Sequence, residues 1–507
     1  MKMKKLSLKE QYHVMTRDLD WEPSYVDRKR VYPYVEFEGI KVHDWEAWED
    51  PFRLTVASYF KYQAEKERRL YAVLESFDQS QSHLRLSDGR YLNGMKLFLT
   101  GLTPVEYAAY RHFAFLARHL GGPAPRFSAL CQSIDELRHC QTQLHTFSIF
   151  NKYYEGFDNY HQWGDRLWYL AVTKSYVEDA MSAGPFESLV ALSFSLEYLL
   201  TNLVFVPFMS GASFNGDSAS ATMGFSAQSD ESRHMTLGLE VVKFLLEQDE
   251  GNVPIVQDWL DKWFWRGYRT LALVANLMDY MLPTPFMSWK EGFELYFEEQ
   301  MMGGLFPDLE FYGLRPPRHV DIAIAEKEHY SHQTNFALYQ FSHLTAFHTW
   351  TPSPEHLDWL SSKYPQTFDA VHRPVWEKAM RAAESGNRYY NMGLAPQCQV
   401  CMIPPIFTEP GDPTKLSLRI SEYKGNKYVT CSDGCKWIFD REPEKYIQAR
   451  TPTDRVLQGL AGGPTIPEVV SWFGITEGVE NRDYVGSGDH KSWTEWQQSL
   501  TLAGGRQ

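Results

Sequence analysis

Apolar and polar positions along the chain mark out long helices with one conspicuous interruption. The most apolar stretch runs from Leu189 through Phe194, Leu196, Leu199, Leu200, Leu203, Val204, Phe205 and Val206 to Phe208, and a single carboxylate, Glu197, breaks it. A charge there is costly unless it is paired or binds a cation. The run is barely long enough to cross a bilayer, contains Glu197 and Asn202, and has no basic cluster beside it, so a buried helix is the better reading. Further helices are expected near Ala57 to Phe77, Leu167 to Met181, Trp259 to Leu282 and Trp289 to Met301, with a helical extension over 351–388. Thr103-Pro104 reads as a helix start, Gly121-Gly122-Pro123-Ala124-Pro125 as a helix-hairpin turn, and the loop from Ser210 to Asp217 as a second turn. After Asn391 the composition shifts to Pro, Gly and Cys with short β-like runs, Leu416 to Ile420 and Lys427 to Thr430. The expected organisation is an arm for subunit contacts over 1–92, a helical domain over 93–390, and a four-cysteine module with a tail over 391–507.

Two five-residue strings carry the chemistry. Asp135-Glu136-Leu137-Arg138-His139 and Asp230-Glu231-Ser232-Arg233-His234 share the pattern Asp-Glu-x-Arg-His. On a helix, a carboxylate and an imidazole three residues apart lie on one face. A lone Glu-x-x-His arises about once by chance in a chain of this composition, and Glu326 with His329 is such a match. That one lacks the Asp and the Arg, whereas the two full strings repeat all four fixed positions. A four-helix dimetal site also needs one Glu from each of two further helices. Glu106 and Glu197 fill the role, because each precedes its partner motif by about one hairpin: at roughly 1.5 Å per residue all four carboxylates reach one level.

Six ligands of mixed oxygen and nitrogen type favour iron or manganese over zinc or calcium. The arrangement resembles the ferritin-like diiron carboxylate proteins. Ferritins are less than half this length, and ribonucleotide reductase small subunits place a tyrosine where this chain has Gln143; desaturases are shorter. Thr201 stands one turn after Glu197, followed by Asn202, and Gln228 precedes Glu231 by three residues. With these positions the chain resembles the hydroxylase large (alpha) subunit of bacterial multicomponent monooxygenases, closest to the phenol hydroxylase branch.

That resemblance implies a mainly α fold, a ferritin-like diiron bundle within a larger helical domain, and hydroxylation of aromatic rings (phenol to catechol, and related arenes such as toluene or benzene) with dioxygen. Glu106, Glu136 and His139 would hold one iron and Glu197, Glu231 and His234 the other, with Thr201, Asn202 and Gln228 as catalytic positions. Asp135 and Asp230 would orient the histidines, with Arg138 and Arg233 fixing those carboxylates. The bland alternatives are a solvated face for these four charges and, for Thr201, a hydroxyl bonded back to its own helix. Leu102, Ala109, Gln143, Leu196 and Phe205 are the candidate substrate lining, an apolar and partly aromatic set suited to a flat ring. The chain has no dinucleotide fingerprint and no ferredoxin-type cysteine run, so electrons must come from another protein. The resemblance makes this an NADH-dependent flavin and 2Fe-2S reductase, with a small regulatory protein and companion subunits in a dimeric hetero-oligomer. A non-catalytic ferritin-like scaffold, or a desaturase or N-oxygenase, are the rival readings.

Four of six cysteines form a second cluster, Cys398-x2-Cys401 and Cys431-x3-Cys435, spaced for a tetrahedral structural zinc. Disulfides and a rubredoxin-like iron are the alternatives. At 43% hydrophobic and 15% aromatic residues the chain can bury a large core, and a net charge of -14 argues against nucleic acid as a partner. The basic start, Met1-Lys2-Met3-Lys4-Lys5, is followed by no apolar segment, so a cytoplasmic protein is expected, neither secreted nor membrane-bound.

Overall fold

The computed structural model describes most of residues 5–327 (apart from 18–23, 32–37, 87–88, 153–167 and 282–286), residue 330, parts of 354–381, and 397–451 apart from 405–407 and 410–411. His329, the stretch 382–396, most of the expected extension over 351–388 and the tail from 452 onward lie outside the described residues.

Helix α1 spans Leu8–Thr16 and opens on a Ser7/Glu10 capping box; α2 spans Val56–Gln79 from a Thr55 cap. Helix α3 spans Gly89–His119 and runs straight through Pro104, which corrects the expected start at Thr103-Pro104. A proline inside a helix loses one hydrogen bond and crowds the preceding turn. Here Phe98, Leu99, Phe113 and Leu116 on either side of it are all buried, so tertiary packing carries the helix across the defect. Gly122, at φ 73°, turns the chain into α4, Pro123–Phe150, with proline in its first turn as expected. Helix α5 covers Trp168–Met181, and α6 the short span Pro185–Leu189.

The chain then forms a π-helix, Val190–Tyr198, before α7, Asn202–Phe214. Taken together, α6 and the π-helix, Pro185–Tyr198, meet α7 at a bend of 46°. The loop expected to begin at Ser210 is in fact helical to Phe214; the turn is Asn215-Gly216-Asp217, after which Asp217 caps α8, Ser218–Gln248. Helix α9 spans Asn252–Met281, and a second π-helix, Phe293–Leu305, follows the short helix Trp289–Gly292.

The four-helix arrangement is built from α3 against α4 and from the π-helix and α7 against α8, with α9 behind the π-helix. Helix α2 packs on α8 and α4, so this part of the expected subunit-contact arm belongs to the body of the bundle. No single described helix is long and apolar enough to cross a membrane, and the apolar π-helix is buried within the protein.

Beyond residue 397 two small antiparallel hairpins pair β1, Thr408–Glu409, with β2, Asp412–Leu416, and β3, Arg419–Tyr423, with β4, Asn426–Thr430. The single run expected over Leu416 to Ile420 is thus divided between two hairpins at Ser417-Leu418. Helix α10, Asp433–Arg441, packs on α9, where Gly434 lies so close to the Trp265 indole that a Cβ would stand 2.3 Å from it.

Candidate metal centre and cavity

All six sequence-selected ligands converge. Glu106 on α3, Glu136 and His139 on α4, Glu197 on the π-helix, and Glu231 and His234 on α8 are each less than 10% exposed. They form two overlapping groups, Glu106, Glu136, His139 and Glu231, and Glu136, Glu197, Glu231 and His234, with the ligand atoms of each group within 4.8 Å of one another. Glu136 and Glu231 therefore belong to both groups, whereas the sequence assigned each of them by its motif to one iron.

Both imidazoles are oriented alike. His139 Nδ1 faces carboxylate oxygens of Glu106, Glu136 and Glu231 at 3.5 to 3.6 Å and makes no hydrogen bond, while its Nε2 donates to Asp230 at 3.2 Å. His234 Nδ1 faces Glu136 at 3.2 Å and Glu231 at 3.3 Å, and its Nε2 donates to Asp135 at 3.3 Å. Each motif's aspartate thus holds the other motif's histidine. Both aspartates are fully buried, which disposes of the solvated-face alternative for them. Arg138 donates to Asp135 at 3.0 Å and to Asp230 at 3.3 Å, and Arg233 pairs with Asp135.

Electrostatics follow from the crowding. Burial, then the Glu231 and Glu136 charges, push the Glu197 carboxyl well above its ordinary range. Burial and Glu231 raise Glu136 as well. Burial opposes a charged imidazole, yet the bond to Asp230 and the nearby Glu106 and Glu136 carboxylates hold His139 well above its usual value, and Glu231 and Glu136 bring His234 up to about 9. A buried layer of four carboxylates attracts positive charge from whatever source is available. The donor set fits two cations of the iron type: oxygen-rich, one imidazole each, two carboxylates placed to bridge, and an Nδ1 atom aimed inward with no other partner.

The layer opens on an apolar cavity of about 150 Å³. Its near wall holds Glu106, Glu136, Glu197, Glu231 and Thr201; Leu102, Val105, Ala109, Leu196 and Phe205 surround them. The far wall comes from α5 and α9, with Leu170, Thr173, Tyr176, Val177, Leu271 and Val274. Four of the five expected lining residues are present. Gln143 is the exception, because it is buried beside Glu106 and donates to it at 3.0 Å instead of lining the cavity. Asn202 and Gln228 are half-buried and also outside the lining, while Thr201 lines it and still makes the back-bond of the bland alternative, 2.9 Å to Leu196 O. The π-turns widen the helix around Glu197, a distortion that recurs at functional sites.

Several contributors escaped the sequence reading. Gln132, one turn before Glu136, donates to Glu197 at 3.2 Å. From α2, Tyr59 donates to Asp135 at 2.8 Å, Gln63 reaches both Asp135 and Asp230, Lys66 pairs with Asp230, and Glu67 accepts from Arg138 at 2.6 Å. The detectable signal was a polar amide in an apolar stripe, since Tyr59, Gln63, Leu70, Leu74 and Phe77 form the buried face of α2. The decoy Glu326 is a salt-bridge partner, accepting both ends of the Arg269 guanidinium at 2.9 Å.

Cys398, Cys401, Cys431 and Cys435 also converge, all fully buried and all free thiols. Cys401 and Cys431 sulfurs lie 3.4 Å apart, and Cys431 and Cys435 sulfurs 3.8 Å apart, too far for disulfides. Four thiolates at about 2.3 Å from one zinc would sit roughly 3.8 Å from each other, so the cage fits a tetrahedral ion.

Residues 21–249 match the family model described as methane/phenol/alkene hydroxylase, and residues 407–450 match the YHS domain model. The chain is 54% identical, over 97% of its own length and 95% of the relative's, to the oxygenase component of phenol 2-monooxygenase from Pseudomonas sp. strain CF600. It is 29% identical, over 95% of its length and 97% of the relative's, to the oxygenase alpha subunit of the alkene monooxygenase system of Xanthobacter autotrophicus. Its structure is similar to that of xenon-pressurised phenol hydroxylase from Pseudomonas sp. OX1, with a TM-score of 0.84, 53% identity, and 98% of this chain and 100% of that chain covered.

Proposed function

Because the chain belongs to the methane/phenol/alkene hydroxylase family, we propose that it is the oxygenase subunit of a multicomponent monooxygenase that converts phenol to catechol, and acts on related arenes such as toluene and benzene. The observation that carries this reading is the opening of a six-ligand carboxylate and histidine layer onto an apolar cavity. Apolar cavities of about 150 Å³ stay dry and take up benzene-sized rings, so the volume suits one aromatic substrate.

Glu106, Glu136, His139, Glu197, Glu231 and His234 would hold two irons, with Glu136 and Glu231 within reach of both ligand groups. When bound, the reduced pair supplies the centre at which dioxygen is activated for transfer to the ring. The protein does the rest. Asp230 and Asp135 fix the Nε2–H tautomer of each histidine, which keeps the Nδ1 lone pair directed at the metals. Leu102, Ala109, Leu196 and Phe205 hold the ring against the carboxylate wall and keep water out. The Thr201 hydroxyl lines the cavity, and by exchanging its bond to Leu196 O for one inward it would present its O–H as a hydrogen-bond donor at that wall. Asn202 and Gln228 act from outside the lining.

The four-cysteine cage holds a structural zinc, since four sulfur ligands leave no open position. Electrons come from a flavin and 2Fe-2S reductase, and a regulatory protein and companion subunits complete a dimeric assembly. Six free thiols support a reducing, cytoplasmic setting. The test is metal content and turnover of the purified oxygenase. Two irons and one zinc per chain, with catechol formed from phenol carrying label from 18O2 when reductase and regulatory protein are added, are expected. Iron-loaded protein that forms no labelled catechol would refute the assignment.

A further inference from the structure

We infer that Gln63 is a positioning residue that ties the two halves of the metal centre together from the side opposite the cavity. The inference rests on the two-iron reading above. Gln63 lies on α2, outside the four ligand-bearing helices, and is 3% exposed. Its Nε2 donates to Asp135 Oδ1 at 2.7 Å and to Asp230 Oδ1 at 2.8 Å. Those two aspartates receive His234 and His139 respectively. One amide group, with two N–H donors about a single nitrogen, therefore fixes the spacing of both carboxylates, and through them the spacing of the two imidazoles, whose ring centroids are 6.2 Å apart.

The choice of residue follows from charge. Asp135, Asp230 and Glu67 already face Lys66, Arg138 and Arg233, three anions against three cations. A fourth cation in this buried layer would be unpaired, and a fourth anion would oppose both aspartates. A neutral double donor joins the carboxylates without disturbing the balance. The arginines reach both aspartates too, Arg138 likewise through one nitrogen, but they are charged and on long side chains that pair with other groups as well, whereas Gln63 is neutral and its amide nitrogen makes shorter bonds to the two aspartates. The cross-paired arrangement, with each aspartate holding the other motif's histidine, means that Gln63 couples the two irons to each other and not each iron to its own helix.

The experiment uses the full chain with its companion subunits. Gln63→Met, unbranched and of similar volume, removes both hydrogen bonds and preserves packing; Gln63→Glu preserves shape and adds an anion. Apoprotein is titrated with 57Fe(II), and the loaded samples are read by Mössbauer spectroscopy beside a thermal melt. Wild type is expected to bind two irons. Gln63→Met should lose 10- to 100-fold in affinity for at least one iron, the range seen when outer partners of metal-bound histidines are removed, with altered quadrupole splittings and little change in melting. Gln63→Glu should lose more than Gln63→Met despite its closer shape. A purely packing role predicts the opposite order. Variants that bind two irons as tightly as wild type, with unchanged splittings, would overturn the inference; wild type that binds fewer than two would instead overturn the metal reading beneath it.

Discussion

Gly238→Ala tests how closely the ligand-bearing helices must approach. Gly238 lies on α8, one turn after His234, and faces Ser193, one turn before Glu197 on the π-helix. A Cβ at Gly238 would stand 2.6 Å from Ser193 Cβ and 2.7 Å from its carbonyl carbon and oxygen. Non-bonded heavy atoms settle at about 3.5 to 4.0 Å, so the two helices must separate by roughly 1 Å. Ser193 offers backbone at that point, with no flexible side-chain end to swing aside. Overpacking of this kind costs about 1–3 kcal/mol, and the better helix propensity of alanine returns about 1 kcal/mol. The net loss in stability is therefore small, of order 1 kcal/mol. The effect on chemistry is larger, because Glu231 and His234 ride on one helix and Glu197 on the other, and a 1 Å misplacement near reacting groups can cost about 100-fold in rate. Iron content, phenol turnover with partner proteins present, and thermal unfolding would be measured together. The expected result is a fall in turnover of about ten- to a hundred-fold with a melting temperature lowered by only a few degrees. Gly303→Ala is the control, since its nearest neighbour, Glu298 O, is 3.4 Å away. Wild-type turnover and iron content in Gly238→Ala would refute the argument that this contact sets the ligand geometry.

Other consequences are open to equally direct checks. Glu326→Ala leaves the Arg269 guanidinium buried without its bidentate partner and should destabilise the fold by about 3–5 kcal/mol, read by denaturant unfolding; a loss under 1 kcal/mol would contradict the buried-pair reading. Burial would raise the Asp179 carboxyl, but Arg266, Lys262 and Lys445 overcome it and hold its pKa at about 2. A depressed folded-state value contributes stability that is present above about pH 4 and lost as pH falls through 2, here about 2 kcal/mol. The stability gap between wild type and Asp179→Asn should therefore narrow between pH 5 and pH 2.5 in urea titrations, and a constant gap would count against it. Phe205→Ala enlarges the cavity beside the carboxylate wall and should change the ratio of ring positions hydroxylated in toluene; unaltered ratios would remove Phe205 from the substrate wall.

The convergence of the six carboxylate and histidine residues and of the four thiols was legible in the sequence because the information is local. A carboxylate and an imidazole three residues apart share a helix face wherever that helix goes, a hairpin turn shows in its glycines and prolines, and a charge amid leucines needs a cation. Cys-x2-Cys is likewise a property of one short segment. Pro104 misled because burial of Phe98, Leu99, Phe113 and Leu116 outweighs a local helix-breaking preference. Gln143 misled because its position one turn from a ligand says nothing of its direction, and it turned toward Glu106.

What tertiary structure alone decided lies between helices. The sharing of Glu136 and Glu231, the crossing of each aspartate to the other motif's histidine, and the far wall of the cavity on α5 and α9 all depend on axial rotation and separation of helices distant in sequence. Gln63 belongs with these, sitting 72 residues from Asp135 and 167 from Asp230 in a segment that carries no ligand. Spacing along one helix is fixed by 3.6 residues per turn, whereas spacing across helices is set by the packing of side chains such as Ser193 against Gly238, which no single segment encodes.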